Sequence, residues 1–144
     1  MIRRLEKADI DRVAEIWLDT NRRAHAFIPP QYWEKHLDEV KGLFVLAEMY
    51  VYEEKSGDPI LGFLGLDGDY IAGIFVWSQA QSQGIGRQLL DFVKGIRTNL
   101  YLGVYQKNRR AVQFYEREGF RIQREQVDVD TGEGEYRMTW GGER

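Results

Sequence analysis

Gln81-Ser82-Gln83-Gly84-Ile85-Gly86-Arg87-Gln88-Leu89-Leu90 is the stretch from which the fold can be read. Before it stands an apolar run, Tyr70 to Trp77. After it, Ile85, Leu89, Leu90, Val93 and Ile96 recur at helical spacing, which predicts a helix over 84–97. Two glycines one residue apart, where loop becomes helix, let the backbone curl and let a ligand approach without a side chain in the way. The free N–H groups of a first helical turn favour an anion, and Arg87 can add a charge-assisted contact. The same residues also fit a plain, flexible helix start. The pattern is not the dinucleotide-binding fingerprint, because Leu89 occupies the place of its third glycine, and it is not a P-loop, because no Gly-Lys-Ser/Thr follows.

Upstream of this loop the pattern predicts a strand over 2–5. A helix over 10–23 follows, capped by Asp9, with Ile10, Val13, Ala14, Trp17 and Leu18 on one face. Residues 24–30 break it, and Pro30 opens a second helix over about 31–43. Strands over 49–54, 60–66 and 70–77 form an antiparallel meander, with Asp67-Gly68 as a hairpin turn. Downstream come a strand over 100–105, a helix over 109–118 stopped by Gly119, and a closing pair over 120–129 and 135–140. The expected class is α/β (α+β): one domain over 1–144, a mixed central sheet with helices on both faces, and the order βααβββαβαββ. The step from 70–77 to 100–105 is a parallel crossover. Ligands of such sheets sit beyond the carboxyl ends of strands, so attention falls on the residues after Trp77 and after Tyr105.

The 144 residues suit one compact domain, 43% apolar and 30% charged. A net charge of −3 argues against a nucleic-acid or anionic-membrane partner, although a local basic patch remains compatible with it. With no cysteine, disulfides, thiolate metal sites and a cysteine nucleophile are excluded. No secretory signal or membrane span is expected, which points to the cytoplasm. His25 and His36 lack partners at metal-ligand spacing, so no metal is expected.

Two motifs carry a resemblance. Gln81-x-x-Gly84-x-Gly86 resembles the Q/R-x-x-G-x-G/A signature of the GNAT superfamily of acyl-CoA N-acyltransferases, with Ser78 where that family often has proline. Asn108-x-x-Ala111-x-x-Phe114-Tyr115-x-x-x-Gly119-Phe120 is similar to its second motif. The resemblance implies that Gln81, Ser82, Gln83, Gly84, Ile85, Gly86 and Arg87 hold the diphosphate of acetyl-CoA. Backbone groups of Ile74, Phe75 and Val76 position the thioester, Asn108 bonds the pantetheine arm, and Tyr115 protonates the leaving thiolate. Asn108 has a second role open to it as a helix N-cap, and Tyr115 as a core aromatic. The spacing around Ala24–Ile28 and Tyr32-Trp33 resembles small bacterial members linked to protein amine or lysine acetylation.

The expected reaction is therefore acetyl transfer from acetyl-CoA to a primary amine (a protein lysine, a protein N-terminus or a small metabolite) by direct attack in a ternary complex. Several family members carry a glutamate five residues before the motif asparagine; here Gly103 stands there. His25, with an ordinary pKa near neutrality, and Glu48, acting through water, are substitute bases. Phe27, Tyr32 and Tyr70 are candidate acceptor-site aromatics, since aromatic faces suit an alkylammonium group; core packing is the competing explanation and the better one for Trp33. The rival reading is a non-catalytic acyl-CoA sensor or interaction module. A monomer or a homodimer fits equally well.

Overall fold

In a computed structural model, which describes residues 1–142, seven strands form one sheet. The first is β1 (Ile2–Arg4). A 3₁₀ turn at Lys7–Asp9 runs directly into α1 (Ile10–Ala24). Asp9 does not cap α1 with its side chain. Its carboxylate instead accepts from the Glu6 N–H at 2.7 Å and from Arg3 at 2.8 Å, because the chain is already helical where α1 begins. The expected second helix is two helices, α2 (Pro30–Lys35) and α3 (Leu37–Leu46), so the order gains one helix. The break is at His36. Its N–H bonds back three residues to the Trp33 carbonyl, and its ring bonds Glu39 at 3.0 Å.

β2 (Glu48–Tyr52), β3 (Gly62–Asp67) and β4 (Tyr70–Val76) form the expected antiparallel meander. The β3–β4 register steps between Gly65 and Leu66, leaving Ala72 of β4 as an extra, bulged residue. The next helix, α4 (Ile85–Lys94), stops three residues before the expected end, at Gly95, and Ile96 is left exposed. β5 (Asn99–Tyr105), α5 (Arg109–Arg117), β6 (Arg121–Val127) and β7 (Gly134–Gly141) complete the chain. The sheet order is β1-β2-β3-β4-β5-β7-β6, with β4 and β5 its one parallel pair.

Period-two alternation sends side chains to two cores. Leu64, Leu66, Ile71, Leu100 and Leu102 pack under Leu89, Leu90 and Val93 of α4, and with Tyr115 of α5. On the other face Val51 and Phe63 pack against Val13, Ile16 and Trp17 of α1, Trp33 of α2 and Phe44 of α3. No helix among the described residues is long and apolar enough to cross a membrane.

Candidate active site

β4 and β5 meet in register only at Tyr70 and Tyr101. From there the two parallel strands part toward their carboxyl ends, so their facing backbone groups are free for a ligand. Past the Tyr70–Tyr101 pair, Ile74–Val76 lie along this opening. A cavity of about 860 Å³ lies over it, within the range of small-molecule sites. Its walls come from the end of α1, the end of β4, the loop into α4, and the start of α5.

The loop is built to leave donors facing this cavity. Gly84 precedes α4 with φ +81 and contributes no capping side chain, so the first N–H groups of α4 are not satisfied by a cap. Ser82 also takes a left-handed conformation, φ +66. Gln81 ties the loop to β4 through its amide, which donates to the Val76 carbonyl at 3.2 Å. Arg110 of α5 then donates to Gln81 Oε1 at 3.2 Å and to Ser82 Oγ at 3.0 Å. Gln83 is exposed and does not line the cavity, unlike the other loop residues singled out from the sequence.

The electrostatics are local rather than global. Arg23, Arg87, Lys107, Arg109, Arg110 and Arg117 line the cavity against one carboxylate, Glu118. A chain of net charge −3 thus concentrates cations where an anion would bind. The free helix N–H groups, the cationic wall and the parted strands fit the diphosphate and extended arm of acetyl-CoA.

Asn108 joins two elements. Its Oδ1 accepts from the Ala111 N–H at 3.3 Å, as an N-cap should, which leaves Nδ2 to donate to His25 Nε2 at 3.3 Å. The Asn21 amide donates to the Trp17 carbonyl at 2.9 Å, so its oxygen accepts from His25 Nδ1 at 3.1 Å. The tautomer of His25 follows: Nδ1 carries the proton and Nε2 accepts. Burial lowers its pKa to about 4. A ring whose lone pair is already engaged, with so low a pKa, is a weak base at neutral pH, unlike the poised base considered from sequence.

Tyr115 is a packed aromatic that also reaches the cavity. It is buried between Phe114 and Phe120, at ring distances of 5.3 and 5.7 Å, yet lines the cavity. Burial, and then Tyr70, raise its pKa, so the phenol keeps its proton at neutral pH. Glu48 is held by the Tyr50 hydroxyl and by Arg97, with the Tyr50 bond foremost in lowering its pKa. It sits where β3 turns into β4, at the end of β4 remote from Val76.

On the other face of β5, alternation places Tyr101, Gly103 and Tyr105. Tyr105 packs edge-on against His25 and Phe27, at 4.9 and 5.6 Å, and donates to Asp128 at 2.6 Å. Tyr32 packs against Trp33 and His36, and its pKa is raised by burial and then by Asp128 and Asp130. Tyr70 packs on Tyr101 at 5.2 Å. The structure thus draws Phe27 and His25 together around Tyr105, with Tyr32 within reach of the same Asp128, while Tyr70 marks the base of the opening. Arg110, Asn21, Tyr105 and Asp128 had not been singled out. Arg110, next to the motif asparagine, was the one with a local signal.

A family model described as an acetyltransferase (GNAT) domain matches residues 46–122. The chain belongs to the GNAT acetyltransferase family. Among its relatives is the peptidyl-lysine N-acetyltransferase YiaC of Escherichia coli K12, 34% identical over 124 residues, or 85% of this chain and 84% of that one. The solution structure of apo YjaB from Escherichia coli superposes with a TM-score of 0.87 at 23% identity, covering 99% of this chain and 98% of the other. PaiA N-acetyltransferase of Thermoplasma acidophilum, crystallised in complex with coenzyme A, superposes with a TM-score of 0.79 at 18% identity, over 99% and 98% of the two chains. This GNAT protein is accordingly an acetyltransferase that uses acetyl-CoA and acts on an amine. The non-catalytic alternative gains no support from relatives that are themselves named transferases.

Proposed function

We propose that this chain acetylates the side-chain amine of lysine in proteins or peptides, by direct attack within a ternary complex in the cytoplasm. The observation that carries this reading is the juxtaposition of a cation-lined cavity on one side of the β4–β5 opening with an aromatic, carboxylate-bearing face on the other. The first suits a polyanionic donor and the second a cationic acceptor. The peptidyl-lysine activity named for YiaC and YjaB supports the same acceptor class.

Acetyl-CoA, when bound, supplies the acetyl group as an activated thioester. The residues of this chain supply position and proton control. The loop Gln81–Arg87 and Arg110 hold the diphosphate, with Gln83 at the margin of that contact. Freed backbone groups at Ile74, Phe75 and Val76 align the reacting carbonyl, and an N–H there favours charge developing on its oxygen. Asn108 is held by His25, and His25 by Asn21, so the pantetheine arm meets a fixed amide. In this reading His25 is a positioning residue. Tyr115, still protonated, gives its proton to the departing sulfur.

An acceptor panel tests the reading: lysine peptides with blocked N-termini, peptides with a free N-terminus and no lysine, and polyamines, each scored by thiol release and by mass of the product. Lysine peptides should lead. A wild-type protein that acetylates N-termini or polyamines but leaves every lysine peptide untouched refutes the acceptor assignment.

A further inference from the structure

Gly103 leaves a hole on the acceptor face of β5, and a carboxylate from another strand leans over it. Glu135 of β7 lies in register with Tyr105, two residues along β5 from Gly103. A Cβ at Gly103 would stand 3.7 Å from both Glu135 carboxylate oxygens and 3.6 Å from the Gln126 amide nitrogen. Gln126 of β6, paired with Glu135 across the ladder, donates to Oε1 at 3.1 Å and so orients the group. Among the described residues no donor reaches Oε2, and no lysine, arginine or histidine comes within ion-pair distance of Glu135. Lys107, the nearby cation, is taken by Glu133 at 3.1 Å.

The surroundings connect this carboxylate to the reaction. The charged and titratable groups that share the face are Tyr70 from β4, Tyr101 and Tyr105 from β5, Arg124 from β6, Asp128 beyond β6, and Arg137 on the same strand. Arg137 is turned away, stacked over the Tyr101 ring at 4.0 Å and donating to Gln123. Tyr105 donates to Asp128, leaving Glu135 as the carboxylate beside the Gly103 gap. Tyr70 is within electrostatic range of both Glu135 and Tyr115: its own pKa is raised by burial and then by Glu135, and Tyr70 in turn acts on Tyr115. Glu135 lies on the face of β5 that carries Tyr101, Gly103 and Tyr105, and Tyr115 lines the cavity over the β4–β5 opening.

We propose that Glu135, reaching from β7 across the gap left by Gly103, is the carboxylate that receives the acceptor's ammonium group and takes its proton. The inference rests on the lysine-acceptor reading above. The balance is simple. Glu135 takes one proton from the ammonium and passes it to solvent. The neutral nitrogen bonds the acetyl carbon while the carbon–sulfur bond breaks. Tyr115 gives its proton to the sulfur and is restored by the second proton that the nitrogen sheds as the amide forms. The net release is one proton. Gly103 carries no carboxylate of its own, so in this scheme the group is supplied from β7 into the space beside it.

The test compares wild type, Glu135→Gln and the double variant Gly103→Glu/Glu135→Gln on a lysine peptide at saturating acetyl-CoA from pH 6.5 to 10. Glu135→Gln should lower kcat/KM about 100-fold at pH 7.5. The deficit should shrink toward pH 10, because a free lysine loses its own proton near a pKa of roughly 10.4. The double variant restores a carboxylate from β5, where the Cβ has room, and should recover at least about tenfold of the loss. Thermal protection by acetyl-CoA should be equal in all three, and carboxyl carbon-13 NMR of Glu135 should shift when the peptide is added. A kcat/KM within about threefold of wild type overturns the proposal. So does an equal loss at every pH, which would mark a packing role. If wild type ignores lysine but acetylates another amine, the acceptor assignment fails by itself, and the same three proteins measured on that amine decide the role of Glu135.

Discussion

Protonating His25 should cost the folded protein stability in mild acid, and replacing it should flatten that cost. The unfolded imidazole takes up a proton below about pH 6.5, whereas the folded ring, being buried, does so only near pH 4. Acid therefore favours the unfolded chain. The contribution is fully present above about pH 6.5 and is lost as the pH falls toward 4. For a pKa lowered from about 6.5 to about 4, the loss between pH 7.5 and pH 5 is about 2 kcal/mol, reduced to about 1–2 kcal/mol because the ring is partly exposed to solvent. Urea unfolding of wild type and His25→Ala at both pH values isolates this quantity, because the carboxylates that also titrate are common to the two proteins. Wild type should lose about 1–2 kcal/mol more than the variant on acidification. Proton NMR of the ring should place its midpoint near 4. Equal losses in the two proteins, or a ring titrating near 6.5, would refute the burial of the His25 ring against Trp33 and Tyr105.

Three further outcomes are expected. Tyr115→Phe keeps the packing against Phe114 and Phe120 but removes the proton; kcat should fall about 100-fold while the acetyl-CoA Kd, measured by calorimetry, stays within about twofold. Arg110→Ala removes two donors to the loop and one cation from the cavity wall. It should weaken acetyl-CoA about tenfold, with a shallower dependence on salt than wild type. Gly84→Glu forces a side chain into a left-handed position at a cost of about 1–2 kcal/mol and sets a negative charge beside the diphosphate. Acetyl-CoA should then no longer raise the melting temperature, and an unchanged shift would remove this turn from the site.

Much of the fold was legible because its signals are local. Asp67-Gly68 announces a hairpin, Gly119 at φ +94 ends a helix, and Ile85, Leu89, Leu90 and Val93 repeat with helical spacing. Errors fell where two local preferences compete. His36 divides a segment whose apolar pattern runs through it, and Asp9 serves a preceding turn rather than the helix it adjoins. The donor half of the site was legible for the same reason as the helices. Its residues lie in two short runs, 81–87 and 108–115, each at the end of a strand.

The acceptor half was not legible, because its residues come from separate elements and carry no common spacing. Glu135 stands 32 residues from Gly103 in the chain, and the β5–β7 register is what brings them together. The hydrogen bond between His25 and Asn108 spans 83 residues, and burial changes His25 from a poised base to a neutral clamp. Periodicity and turn chemistry are written into neighbouring residues, so strands, helices and the anion-binding turn could be read directly. Proton affinity and contact across a sheet depend on which distant groups share a dry space, and only chain packing brings those groups together.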